Sequence, residues 1–149
     1  MIRESIVINR DVATVYSAFS SLEFWQQVLT DILDVKVRYN DSHHQEFLMT
    51  VQRPKGPETI RGIWFCKPNR SIELFQPEPP PGFKRMTGVW TFEEANGGTQ
   101  VSVKRQFELL PSDSGPTTEE VAAKLREFLQ RNLNLFKAQL EYGHEISAS

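Results

Sequence analysis

Four polar side chains lie in or beside apolar periodic segments, where an inward orientation would let them do chemistry: Arg61, Lys67, Arg105 and Asn132. Arg105 interrupts the alternating series Val101, Val103, Phe107, Leu109, so a regular pleat puts it on the inward face of a strand. A guanidinium there must meet a carboxylate, backbone carbonyls or a ligand rich in anionic or carbonyl oxygens. A bulge near Lys104 would turn it outward, into a structural or solvated role. Asn132 lies seven residues after Leu125 and four before Phe136, within an apolar helical stripe. A buried amide there needs partners, and a ligand carbonyl, a trapped water or a neighbouring strand would each serve.

Arg61 and Lys67 share one strand face with Ile63 and Phe65, whereas Ile60, Gly62, Trp64 and Cys66 occupy the other. Apolarity alone favours the second set as inward. Lys67, beside Pro68-Asn69, also reads as a turn lysine reaching water, and Arg61 equally as a solvated strand residue. Met86, Gly88, Trp90 and Phe92 fall on one face of a later strand, as core packing or as a cavity wall. Trp25 either closes one end of such a cavity or packs beneath a short helix. Cys66 has no identifiable histidine partner, which argues against a catalytic thiol. His43-His44 has no third ligand at metal spacing, so neither a metal nor any other cofactor is expected.

The elements that must hold these residues follow from periodicity and turn chemistry. The run Ser5-Ile6-Val7-Ile8 within Glu4 to Asn9 reads as a first strand, and Asp11 as the N-cap of a short helix through Phe19. Ser20-Ser21-Leu22-Glu23 fits a capping box for a second short helix. Period-2 segments then recur at Asp34 to Tyr39, Glu46 to Gln52, Thr59 to Cys66, Arg70 to Gln76, Phe83 to Glu94 and Gln100 to Leu110. The breaks between them are rich in Pro, Gly, Asn and Asp, including Asn96-Gly97-Gly98. Connections this short join antiparallel neighbours, which predicts a seven-stranded antiparallel sheet. The Pro77-Glu78-Pro79-Pro80-Pro81 run is stiff and extended, a spacer or the frame of an entrance. After a polar linker from Pro111 to Pro116, Thr117 and Glu120 form a capping box, and Val121, Leu125, Phe128, Leu129, Leu133, Phe136 and Leu140 stripe a long helix to about Tyr142.

Composition narrows the function classes. At 149 residues, with 39% hydrophobic and 24% charged residues, the chain is expected to form one globular α+β domain over 1–149. Seventeen basic residues against nineteen acidic ones, with no basic block, exclude a nucleic-acid partner. A single cysteine and the lack of a signal-like amino terminus predict a cytoplasmic protein, and no run is long enough for a membrane span. Nothing in the sequence specifies an oligomeric state.

The order strand, two short helices, six-strand meander and long amphipathic helix resembles the helix-grip fold of START domains and Bet v 1-like (SRPBCC) proteins. The residues are most similar to the polyketide cyclase/dehydrase (aromatase/cyclase) family. The pieces are Ser5-Ile6-Val7-Ile8, Ser21-Leu22-Glu23-Phe24-Trp25, Phe83, Met86-Thr87-Gly88-Val89-Trp90-Thr91-Phe92, Gly97-Gly98-Thr99-Gln100-Val101 and Asn132, in the family order across nearly the whole chain. The resemblance implies a sheet wrapped around the C-terminal helix, with a cavity for a small hydrophobic or polyketide-like molecule. It implies lining by Trp25, Ile63, Phe65, Met86, Trp90, Phe128 and Phe136, and polar chemistry from Arg61, Lys67, Arg105 and Asn132. Lys67 stands where the family carries a fourth-strand arginine, and Pro77 and Ile32 where some members carry Arg and Tyr. A polyketone cyclase, a non-catalytic carrier of a lipid, quinone or isoprenoid, and a protein-interaction module all fit the sequence.

Overall fold

A computed structural model describes residues 1–112 and 114–143; position 113 of the expected linker and residues 144–149 lie outside the described residues. In chain order the elements are β1 (Ile2–Ile8), α1 (Val12–Phe19), α2 (Leu22–Val28), β2 (Ile32–Asn40), β3 (His44–Arg53), β4 (Gly56–Lys67), β5 (Ser71–Phe75), β6 (Phe83–Ala95), β7 (Gly98–Leu109) and α3 (Thr118–Ala138), closed by a π-helical turn (Gln139–Gly143). The strands form one seven-stranded sheet in the order β1-β7-β6-β5-β4-β3-β2. Every neighbouring pair is antiparallel. The expected sheet and long helix are both present.

Local chemistry explains the boundaries. Asn96 and Gly97 turn β6 into β7 with φ of 49° and 82°, the positive values a tight hairpin requires. The Asp11 carboxylate caps α1 by accepting from the Thr14 N–H. Thr117 and Glu120 form the expected reciprocal capping box at the start of α3. The second helix departs from expectation: its cap is Ser21, whose Oγ accepts from Phe24 N at 3.2 Å. Glu23 therefore sits inside the first turn, where its charge favours the helix N-terminus without closing a box. Register shifts in β2–β3 and between Phe83 and Arg85 of β6 break the ladders and strengthen the twist that bends the sheet.

The helix α3, about 32 Å long at 1.5 Å per residue, docks unevenly. Its C-terminal half buries Leu129, Leu133 and Phe136. Polar ties hold that end to the sheet edge: Lys137 Nζ donates to the Val7 carbonyl at 2.5 Å, Arg10 Nη1 to the Leu140 carbonyl at 2.8 Å, and Asn9 N–H to the Glu141 carboxylate at 2.9 Å. Donation from the Lys137 ammonium and then the Asn9 N–H keeps the Glu141 carboxyl below the usual range. The N-terminal half is looser, with Val121 and Leu125 half-buried and Phe128 exposed.

Phe136 is the hub of this docking. Its ring stacks on Phe19 at 4.2 Å and meets Trp25 edge-on at 4.8 Å, with no solvent exposure. Truncating a fully buried phenylalanine removes its transfer free energy and leaves a void. Phe136→Ala is expected to lower unfolding stability by about 3–5 kcal/mol, measured by urea denaturation.

Candidate functional site

Curvature of the sheet and the raised half of α3 leave a cavity of about 870 Å³ between them, within the usual size for a small-molecule site. Its closed end is aromatic. Trp25, Trp64 and Trp90, all the tryptophans of the chain, line it together with Phe19, Phe47 and Phe136. Trp25 anchors the group: its indole N–H donates to the Phe19 carbonyl at 2.7 Å, and its ring lies 5.5 Å from Trp90 and 5.7 Å from Trp64. Met49, Ile60, Met86 and Leu74 extend the apolar wall toward the mouth.

The exposed lining residues lie at the β3–β4 turn (Pro54, Lys55, Pro57), at Pro81 of the β5–β6 connection, at Thr30 and Asp31 before β2, and on α3 (Lys124, Phe128, Arg131), which sets the mouth there. Here Arg53 pairs with Glu58 at 3.2 Å and Arg131 with Asp31 at 3.6 Å. Lys55 and Lys124 also line the rim. The proline run thus contributes to the frame of the opening, although Pro77 itself stays off the wall.

One cation sits deep in the wall. Arg105 of β7 is 8% exposed and lines the cavity. No ion pair joins it to any described carboxylate, and its buried Nε has no hydrogen-bond partner among the described residues. Its guanidinium carbon lies 5.5 Å from the Trp90 ring centroid, a cation–π contact that recovers part of the lost hydration. Burial lowers its pKa from the ordinary value to about 10, so it remains charged at neutral pH. Gly88, its cross-strand partner on β6, makes this posture available. A Cβ at that position would stand 2.9 Å from Arg105 Nε and 3.2 Å from its Cδ.

Two neutral amides share the wall. Gln76, just past β5, is 7% exposed, and its buried Oε1 is unsatisfied among the described residues. Asn132 is half-buried on α3 and lines the same space. These are few polar groups on a large apolar surface, the pattern of a site that orients one molecule.

The structure brings together Trp25, Met86, Trp90, Phe128, Phe136, Arg105 and Asn132 on one cavity, with Phe128 at its rim. It separates Arg61, Ile63, Phe65 and Lys67 from them, which corrects the placement implied by the family resemblance. Register pairs Phe47 with Gly62, and Phe47, Gly62, Trp64 and Cys66 are all buried; the alternate residues of β4 must therefore face outward. Arg61 Nη2 instead binds Glu46 Oε1 on β3 at 3.1 Å, Phe65 meets the ring of His44 at 5.2 Å, and Lys67 is exposed. Gly62 has its own reason to lack a side chain, because the Phe47 ring occupies the space a Cβ would take. Ile32 is buried and lines the cavity.

Sequence reasoning left Trp64 on one of two candidate faces of β4 and passed over Phe47 and Gln76 as cavity residues. Trp64 was available from the apolar alternation Ile60, Gly62, Trp64, Cys66; Gln76 carried no signal, since a glutamine after a strand usually meets water. Cys66 is buried, and burial raises its pKa, the opposite of an activated thiol. His43 and His44 belong to a turn in which the Asp41 carboxylate accepts from both backbone N–H groups, at 2.9 and 2.6 Å.

Comparison with known proteins adds the following. A family model described as polyketide cyclase / dehydrase and lipid transport matches residues 1–141. No curated protein matches the chain. Among solved structures, the di-domain ARO/CYC StfQ from the steffimycin biosynthetic pathway is similar at a TM-score of 0.82 and 21% identity, over 99% of this chain and 52% of that one. The chain therefore spans about half the length of that relative. Zhui aromatase/cyclase from Streptomyces sp. R1128 gives 0.78 and 15% identity over 95% of this chain and 96% of that one. A START superfamily protein from Mycobacterium smegmatis gives 0.74 and 17% identity over 93% and 97%. At such identities the likeness is one of fold.

The outward face of β4 yields a direct test. Arg61→Ala and Lys67→Ala are expected to leave the affinity for any cavity ligand within about twofold, since substitutions remote from a site stay near 0.5 kcal/mol. Binding titrations of both variants beside the unmodified protein check this.

Proposed function

We propose that this chain, which belongs to the polyketide cyclase / dehydrase and lipid transport family, binds a small hydrophobic molecule between its sheet and α3. The observation that carries the reading is the cavity of about 870 Å³, walled by aromatic and aliphatic side chains and open at the raised half of the helix. Burying an apolar molecule there gains roughly 25 cal/mol per Å² of apolar area removed from water. The non-catalytic carrier needs nothing more than this cavity and its mouth. We also place the protein in the cytoplasm, on the single free thiol, Cys66, that it carries.

Because all three tryptophans line the cavity, occupancy reports itself. Nile red, a neutral apolar dye, is expected to bind the native protein with a blue shift of its own emission and quenching of tryptophan emission. Native mass spectrometry of freshly purified protein identifies any molecule carried through purification. Failure of several chemically different apolar probes to bind, with the circular dichroism spectrum intact, would overturn the reading.

A second reading, ring closure of a polyketone, is favoured by the presence of Arg105 and Asn132 on the same wall. In it the guanidinium stabilises enolate oxygen and the Asn132 amide holds a carbonyl, while the walls restrict how the chain folds. The resemblance implies a fourth-strand cation inside the cavity, and Lys67, which stands at that position, is exposed on the outer face of β4. Ring-forming activity on a reactive polyketone is accordingly expected to be weak. Asn132→Ala is expected to reduce affinity for carbonyl-bearing ligands more than for hydrocarbons. Product regiochemistry with and without the protein is the check: fast regiospecific cyclisation, abolished by Asn132→Ala, replaces the carrier reading with the enzymatic one.

A further inference from the structure

We infer that the molecule held in this cavity is an amphipathic organic acid whose carboxylate sits on the Arg105 guanidinium while its apolar body lies against the tryptophans. The inference rests on the binding reading above and names the ligand class. Two independent features of the wall carry it.

The first is the state of Arg105. It is more than nine-tenths buried, lines the cavity and has no ion-pair partner among the described residues. An unpaired cation in an apolar wall carries a large desolvation cost. Trp90 offsets part of it, and Gln76, the other orphaned polar side chain on the wall, is neutral. Compensation of the charge therefore falls to the ligand. A carboxylate presents two coplanar oxygens to the guanidinium fork, and its single negative charge matches a single buried cation.

The second is the charge of the rim. Besides Arg105, the lining residues include four cations, Arg53, Lys55, Lys124 and Arg131, against two carboxylates, Asp31 and Glu58. Both carboxylates are paired, with Arg131 and Arg53, and no described carboxylate forms an ion pair with Lys55 or Lys124. The whole chain has a formal charge of −2, so a positive mouth runs against the average surface. A positive rim raises the local concentration of anions at the opening.

The test compares decanoate with 1-decanol, an acid and a neutral alcohol on the same chain, by displacement of Nile red from the wild-type protein and from Arg105→Met. Decanoate is expected to bind the wild type at least about tenfold more tightly than decanol, and Arg105→Met to abolish that preference while keeping decanol affinity. Arg105→Lys, which retains charge without the fork, should retain only part of it. Removing an unsatisfied buried cation should leave the thermal midpoint unchanged or higher; a marked loss of stability would reveal an internal role for Arg105 and overturn the inference. Equal binding of acid and alcohol to the wild type, with Nile red still bound, overturns the acid and leaves the cavity reading standing. If neither ligand nor dye binds, both fall. The wild-type comparison needs no variant and reads the acid preference directly, and failure of Arg105→Met to fold counts as the loss of stability that overturns the inference.

Discussion

The stacking of Phe136 on Phe19 sets where the long helix meets the sheet. The two rings lie 4.2 Å apart, and Trp25, itself held by its indole hydrogen bond to the Phe19 carbonyl, closes edge-on against Phe136. Helices α1, α2 and α3 converge on this cluster, and Phe92 of β6 joins it 5.5 Å from Phe19. With the C-terminal half of α3 committed there, and tied to β1 by Lys137, the sheet's curvature carries the other strands away from the helix's first half. The cavity is a consequence of that geometry. One end of the helix satisfies the core, and the other end faces a concave sheet it does not fill.

The same wall sets stability against ligand binding. A close-packed interior gains dispersion contacts that an open cavity forgoes, and Arg105 adds the cost of an unpaired buried charge. Gly88 permits that placement by leaving room across β6 for the arginine side chain. A larger side chain at either position of this pair would fill space at the expense of the wall's polar point. Arg105 breaks the apolar run that Val101 and Val103 set on the inward face of β7, and local rule-breaking of this kind concentrates at functional or strained sites.

Aligned charge and apolarity make the cavity polarised along its length. Its rim bears Arg53 and Arg131, each in an ion pair, with Lys55 and Lys124, which form none among the described residues, its middle holds Arg105 and two amides, and its closed end is aromatic.

Much of this was legible in the residues alone. The succession of strands from β2 to β7, their hairpin turns and the start of α3 follow from local signals that act within a few residues: the positive φ demanded at Asn96-Gly97, the Thr117–Glu120 box, the period-2 runs. The pairing of β1 with β7 joins segments about a hundred residues apart and has no such local signal. For Arg105 the sequence left two phases open, inward by alternation with Val101 and Val103 or outward through a bulge near Lys104, and the folded strand takes the inward one, with Val101, Val103 and Arg105 all buried. The phase of β4 was decided only by the folded chain. Both of its faces contain apolar residues, Ile63 and Phe65 against Ile60 and Trp64, and a one-residue change of phase exchanges the faces completely. Pairing of Phe47 with Gly62 across β3–β4 resolves it, since the ring lies over a position where no side chain intervenes. Likewise the periodicity of α3 shows one continuous stripe, yet only its second half is buried. A helix's sequence specifies which face is apolar; how far the opposing sheet stays close enough to cover it depends on curvature accumulated over seven strands, a property no single segment carries.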